Sequence, residues 1–315
     1  AERALFHRHF LHQNTRLENE VIAMRKIPEV RDDFALRGRC EIYRADLKSM
    51  ASANRLHQGV NLRGHQVWAT YEHFQDLLVI RGIPADEDLL DIVDFFASNS
   101  DPNIFKERHA LSQSEFRKLI QPLIRTGHIV QDFRGGFRTV ISNKSVDPTE
   151  LRKEYLRNMV KEYPIITLKQ FMRLAGTPFK PEEIKSVLNS FEQDGTLIKG
   201  FLIEDLHEVC WGRKELLDEA KDIRPIRDFV LPPSDPISPY FADVLKERFG
   251  FGSAYLVFKN AEPVAAFKAN TRNKIIEVKD YEGSEKGGRI VKEFAWEHQM
   301  PLETELRIGG KKMTR

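Results

Sequence analysis

Arg117, Lys118, Gln121 and Arg125 fall within one helical run, and Arg134 and Arg138 follow on a short hairpin. Long cations so placed can reach phosphate oxygens, and an arginine or glutamine among them can hydrogen-bond a base edge. A reader of nucleic acid needs such a set. The other reading is a solvated basic face, since helices commonly expose Arg and Lys. Local charge favours the first. Residues 114–144 carry six basic side chains against Glu115 and Asp132, in a chain of 315 residues with a net charge of only +2. Residues 151–213 are nearly neutral, with ten basic against nine acidic side chains. Residues 51–100 are acidic, three against seven, and so a poor source of phosphate contacts.

The elements that must position these cations occur twice, 68 residues apart. Phe116, Leu119, Ile120, Leu123 and Ile124 have the spacing of a helix with one buried face, and Ile184, Val187, Leu188 and Phe191 repeat it. Gly127 and Gly195 stand where a left-handed cap closes a helix. Strand-like pairs follow, Ile129 with Val130 and Leu197 with Ile198, and Arg134-Gly135-Gly136 makes a hairpin tip. A helix running straight into a two-stranded wing is the late half of a winged helix-turn-helix. Pro122 lies inside the first such helix, where a lost hydrogen bond costs roughly 3 kcal/mol and predicts a kink. In the second copy the candidate contacts are Lys180, Lys185 and Lys199, but Glu182, Glu183 and Glu192 share that helix. A module that holds its neighbours in place is the stronger reading there.

The chain suits two to four small domains, and its 41% apolar content is enough for packed cores. The expected fold class is α+β, with tandem winged helix-turn-helix domains followed by a small antiparallel β-barrel. Residues 1–83 form a helical N-terminal region with room for a degenerate winged helix, including a short strand at 39–43 and a helix at 70–80. Residues 84–146 and 147–224 are the two winged helices. Prolines mark a linker from about residue 224, and residues 225–315 hold the barrel, with strands at 254–258, 263–267 and 274–278, a helix at 288–299 and a mobile basic tail from Lys311.

Two distant cysteines, Cys40 and Cys210, point to a reducing compartment and against a disulfide framework or zinc finger. With no long apolar run for a membrane, the expected location is the cytoplasm, in association with the nucleoid. His7, His9 and His12 lack a carboxylate or cysteine to complete a ligand set, so neither metal nor cofactor is expected. Phe133, Phe137, Tyr255 and Phe258 have the chemistry to stack on an extruded base, although a core role suits most of them better. Trp68, Trp211 and Trp296 are expected as core anchors.

These pieces in this order resemble the bacterial interstrand-crosslink DNA glycosylases of the AlkZ/YcaQ-like family and the C-terminal region of Lhr-type helicases. Residues 231–258, with an apolar-Pro-Asp-Pro segment and an Arg-Phe-Gly-Phe turn, are similar to the entry of that family's barrel. Residues 195–217 are similar to the wing and following helix of Lhr-type chains. The resemblance implies DNA as the partner, duplex or branched, with a helicase or repair protein as a further partner and base excision as an activity. It also implies a catalytic place for Asp235, whose plainer role is to cap a turn before Pro236. The chain departs from the pattern in having no Gln-x-Gln, the pair that those glycosylases carry, and it has no Walker A motif. The expectation is a DNA-binding protein of repair or genome maintenance. A divergent glycosylase, a non-catalytic DNA-binding module and a protein-interaction scaffold all remain open.

Overall fold

Several helix starts in this chain are set by side chains that satisfy the first free backbone N–H groups. The computed structural model describes residues 29–31, 56–142, 147–203, 207–215, 228–272, 275–284, 286–291, 305–308 and 311–313. The expected helix near the N-terminus, the strand at 39–43, Cys40, Trp296 and the histidines at 7, 9 and 12 lie outside those residues.

The described chain opens with strands rather than helices. They are β1 (Glu29–Val30), β2 (His57–Val60) and β3 (Gln66–Ala69), followed by helix α1 (Tyr71–Arg81). The expectation of a helical region therefore holds for α1 and is corrected for 57–69. Buried His57 and Gly59 alternate with half-buried Gln58 and Val60, a strand period that the polar residues disguised. Phe74, Leu77, Leu78 and Ile80 face the core from α1.

Three helices come next, α2 (Leu90–Ser98), α3 (Pro102–Arg108) and α4 (Gln113–Thr126), and then β4 (Ile129–Gln131) and β5 (Phe137–Thr139). Ser112 starts α4 by a reciprocal cap. Its hydroxyl accepts from the Glu115 N–H at 3.3 Å, and the Glu115 carboxylate accepts from the Ser112 N–H at 2.8 Å. The helix runs through Pro122 as one element and closes at Gly127, φ +86°. Phe96, Phe105, Phe116 and Phe137 meet edge-on or tilted, with centroids 5.5 to 6.2 Å apart, and with Ile92, Ile120, Leu123 and Ile129 they form a core of their own. The sheet order β1-β3-β2-β4-β5 joins the hairpin β4–β5 to β2 and β3.

Three helices and a hairpin recur, with an added strand after the first helix, as α5 (Pro148–Glu162), β6 (Ile165–Thr167), α6 (Leu168–Ala175), α7 (Pro181–Gln193), β7 (Leu197–Gly200) and β8 (Cys210–Arg213). Asp147 caps α5 by accepting from the Thr149 N–H at 2.9 Å, with Pro148 in the first turn. Strands β6, β8 and β7 form a three-stranded antiparallel sheet. Its core does not stop at the unit. Phe171, Ile184, Leu188 and Trp211 belong to one buried cluster with Leu77 of α1 and with Tyr240, Phe241 and Phe258 further along.

Within the expected linker, the described residues from 228 onward are structured. Strand β9 (Phe229–Leu231), a 3-10 turn at Ser238–Phe241 and helix α8 (Ala242–Phe249) occupy it, because Phe229, Leu231, Ile237, Tyr240 and Phe241 are all buried between the prolines. The expected closed barrel is also corrected. Strands β10 (Tyr255–Lys259), β11 (Glu262–Arg272), β12 (Ile275–Gly283), β13 (Glu305–Ile308) and β14 (Lys311–Met313) join β9 in an open six-stranded sheet, with β14 and β9 at its edges. It is not wholly antiparallel, since β12 and β13 run parallel. The basic tail pairs as β14 with β13, so the expected mobility is not found at Lys311–Met313. Residues 286–291 are helical, beginning two residues before the helix expected at 288–299, whose residues from 292 lie outside those described. Among the described residues no helix is long and apolar enough to cross a membrane, and no cluster of His, Cys, Asp and Glu has the makings of a metal site.

Candidate nucleic-acid interface

The long axis of α4 carries Arg117, Gln121 and Arg125 four residues apart, so the three side chains fall on one stripe. All three are exposed, and they line a cleft of about 480 Å³. Val60, Gly64 and Gln66 of the β2–β3 hairpin are on its other wall, with Gln131 and Gly135 at its end. Among the described residues no carboxylate lines it. Guanidinium and amide donors facing such a channel are suited to phosphate oxygens and base edges.

Two features hold the helix at that angle. The Arg81 guanidinium donates to Val60 O in β2 and to Thr126 O at the end of α4, the latter at 3.5 Å. A cation at the C-terminal carbonyls also suits the helix dipole. Gly127 supplies the positive φ of the helix end, and a Cβ there would stand 2.1 Å from Arg81 Nη1, which would have to move aside. Burial lowers the Arg81 pKa below its ordinary value, and the carboxylate of Glu29 works the other way.

The other sequence-predicted residues scatter around this stripe. Lys118 is exposed but outside the cleft lining. Arg134 is exposed at the wing tip, where Asp132 shapes the turn by accepting from the N–H groups of Arg134 and Gly136, each at 2.8 Å. Arg138 is exposed on β5 and packs 3.9 Å above the Tyr71 ring, while Tyr71 donates to Thr139 O at 2.9 Å. In the second unit Lys180 and Lys185 are exposed near the start of α7. Lys199 lies 3.6 Å from Glu192 and over Trp211, so its charge is already partly answered. Phe137 and Phe258 are core residues at 8% and 0% exposure, and Tyr255 stacks on Phe267 at 4.9 Å. Trp211 is a core residue too.

Asp235 is buried at 2% exposure and belongs to neither cleft lining. Its Oδ1 accepts from Ile237 N at 3.0 Å, and its backbone carbonyl accepts from Ser238 N at 3.0 Å. Those bonds are the bonds of a turn cap.

A second cleft, of about 680 Å³, was not foreseen. Arg31, Arg63, His65 and Arg173 line it, with Met172 and Ser253 among its other walls. Arg173 is engaged with Asp243 at 3.0 Å. Behind the wall, Glu29 accepts from the Asn61 amide and lies 3.5 Å from His73 Nε2. Burial alone would raise the Glu29 pKa, but the neighbouring His73, the Arg63 charge and the Asn61 amide outweigh it and lower the value. Glu29 is therefore ionised at neutral pH. His65 is held below the ordinary imidazole value by burial first, and then by the charges of Arg31 and Arg63. Sequence reading passed over Arg63 because its surroundings are acidic. The available signal was the turn Asn61 to His65, with Gly64, between two strand-length runs.

The chain is similar in structure to the DNA glycosylase AlkZ of Streptomyces sahachiroi. The match covers 98% of each chain with a TM-score of 0.68 and 12% sequence identity. At that identity the likeness is one of fold. No family model matches the sequence, and no curated protein matches it in sequence.

Proposed function

We propose that the protein binds DNA, in repair or genome maintenance, with the α4 cleft as its main contact surface. The observation that carries this reading is the exposed stripe of Arg117, Gln121 and Arg125 in a channel whose described lining has no carboxylate. We read α2 to α4 with β4 and β5, and α5 to α7 with β6 to β8, as two winged helices, α4 and α7 being their third helices. Arg134 and Arg138 are the wing contacts of the first. Lys180, Lys185 and Lys199 are secondary, and Asp235 is a turn cap.

Base excision is a second reading, favoured by the likeness to a DNA glycosylase and by the ionised Glu29 behind the arginine-lined cleft. Against it, among the described residues neither cleft lining includes a carboxylate to activate water or stabilise a cationic sugar. Binding is therefore the main proposal and excision the subordinate one.

One experiment tests both. Labelled duplexes with and without uracil, an alkylated purine or a crosslink are titrated at several salt concentrations and then treated with alkali. Affinity that falls steeply with salt supports DNA binding, and affinity indifferent to salt defeats it. Alkali-sensitive cleavage lost in Glu29→Gln supports excision. Cleavage lost in Asp235→Asn but kept in Glu29→Gln would move the catalytic carboxylate back to Asp235. No cleavage on any of these lesions leaves a binding module.

A further inference from the structure

The β2–β3 hairpin is a wall with a cation-lined cleft on each side. Val60, Gly64 and Gln66 line the α4 cleft, and Arg63 and His65 line the second. Arg63, Gly64 and His65 lie in the turn between β2 and β3, where neighbouring residues line different clefts. Arg117 and Arg125 serve one side, and Arg31 and Arg63 serve the other, where Arg173 is held by Asp243. Among the described residues neither lining contains a carboxylate.

The wall is fixed in place. The Asn61 carbonyl oxygen of the side chain accepts from the N–H groups of Arg63 and His65, each at 3.0 Å, and Glu29 holds the Asn61 amide from behind. Thr177 donates to Leu62 O from its N–H and its hydroxyl, both at 3.2 Å. Gly176 permits that seating, since a Cβ there would lie 2.6 Å from Leu62 O. A continuous duplex has its two strands wound together and can lie on only one side of such a partition. Single strands track cationic grooves by their phosphates, with bases against apolar side chains, and Met172, 37% exposed in the second cleft, offers such a surface.

We propose that DNA strands part at this hairpin, so that the preferred ligand is a fork in which one strand follows the α4 cleft and the other enters the cleft of Arg31, Arg63 and Arg173. This rests on the DNA-binding reading above and names the DNA structure that the site takes.

The test is fluorescence anisotropy of the full chain with a fork, a duplex and a single strand of one sequence. The fork is expected to bind roughly tenfold more tightly than the duplex, as two engaged grooves require. The double substitution Arg31→Ala with Arg63→Ala is expected to remove most of that preference and leave duplex affinity within about twofold. Met172→Glu, which adds a like charge to phosphate without touching the turn, is expected to do the same. Equal affinity of the native chain for fork and duplex would overturn the proposal. So would equal losses on both DNAs in Met172→Glu, or in the double variant with its melting temperature kept. Binding to none of the three would instead defeat the DNA-binding reading itself.

Discussion

The two units share three helices followed by a hairpin and differ in what surrounds them. The first, α2 to β5, closes a core of its own around four phenylalanines and leaves the outer stripe of α4 exposed to a cleft. The second, α5 to β8, shares one buried cluster with α1 and with the segment leading to the six-stranded sheet. Its cations are mixed with acids, as Lys199 with Glu192 and Arg152 with Glu183 illustrate. The Arg152 guanidinium also donates to Ile80 O and Pro178 O, tying α5 to α1 and to the α6–α7 turn. The difference teaches that one arrangement can present a charged face or serve as a keystone, depending on where its apolar surplus goes.

The comparison breaks most visibly in the cores. Phe116→Ala in the first unit and Phe171→Ala in the second each remove a ring that is at most 2% exposed, and each is expected to cost about 3–5 kcal/mol. Hydrogen exchange should show the first confined to residues 87–140 and the second spread across all three sheets. Equal spread in both variants would mean that the two cores are one cooperative unit.

Binding should separate the units next. Arg117→Ala with Arg125→Ala is expected to weaken DNA binding roughly 10–100-fold and to lower the salt slope by about two, as loss of charged hydrogen bonds to two phosphates implies. Lys180→Ala with Lys185→Ala should change it less than about threefold, within the range of exposed charges. The reverse order in a titration would transfer the main contact surface to α7.

Glu29 sharpens the comparison by anchoring the wall on which the first unit's cleft depends. Glu29→Ala leaves the Asn61 amide without its acceptor and is expected to cost about 1–3 kcal/mol. Because the folded pKa lies below the unfolded one, the stability from ionised Glu29 is complete above the ordinary carboxylate range and is lost as pH falls through the folded value. Thermal melts from neutral pH downward should therefore decline less steeply in Glu29→Gln than in the native chain. Parallel declines would remove Glu29 from the account. The smallest effect concerns Arg138 over Tyr71, where Arg138→Gln should cost about 0.5–1 kcal/mol in denaturant titrations.

Local rules made much of this molecule legible. The periodicity at Phe116 to Ile124 and at Ile184 to Phe191, the caps at Ser112 and Asp147, and the glycines closing α4 and the second wing's approach all act over a few residues, so the sequence alone determined α4, α5, α7 and both hairpins. It also determined which α4 side chains face outward, because a helix with one buried stripe leaves only one face free. The rest depended on contacts between distant residues. Whether β9 to β14 close or stay open is set by which edges meet, and prolines in the crossing did not betray that Tyr240 and Phe241 are buried. Arg63, in an acidic stretch, became part of a cationic cleft only because Arg31 and Arg173 approach it from other elements. Charge along a chain sums over neighbours in sequence, whereas electrostatic potential at a surface sums over neighbours in space. Only the tertiary structure places those arginines together.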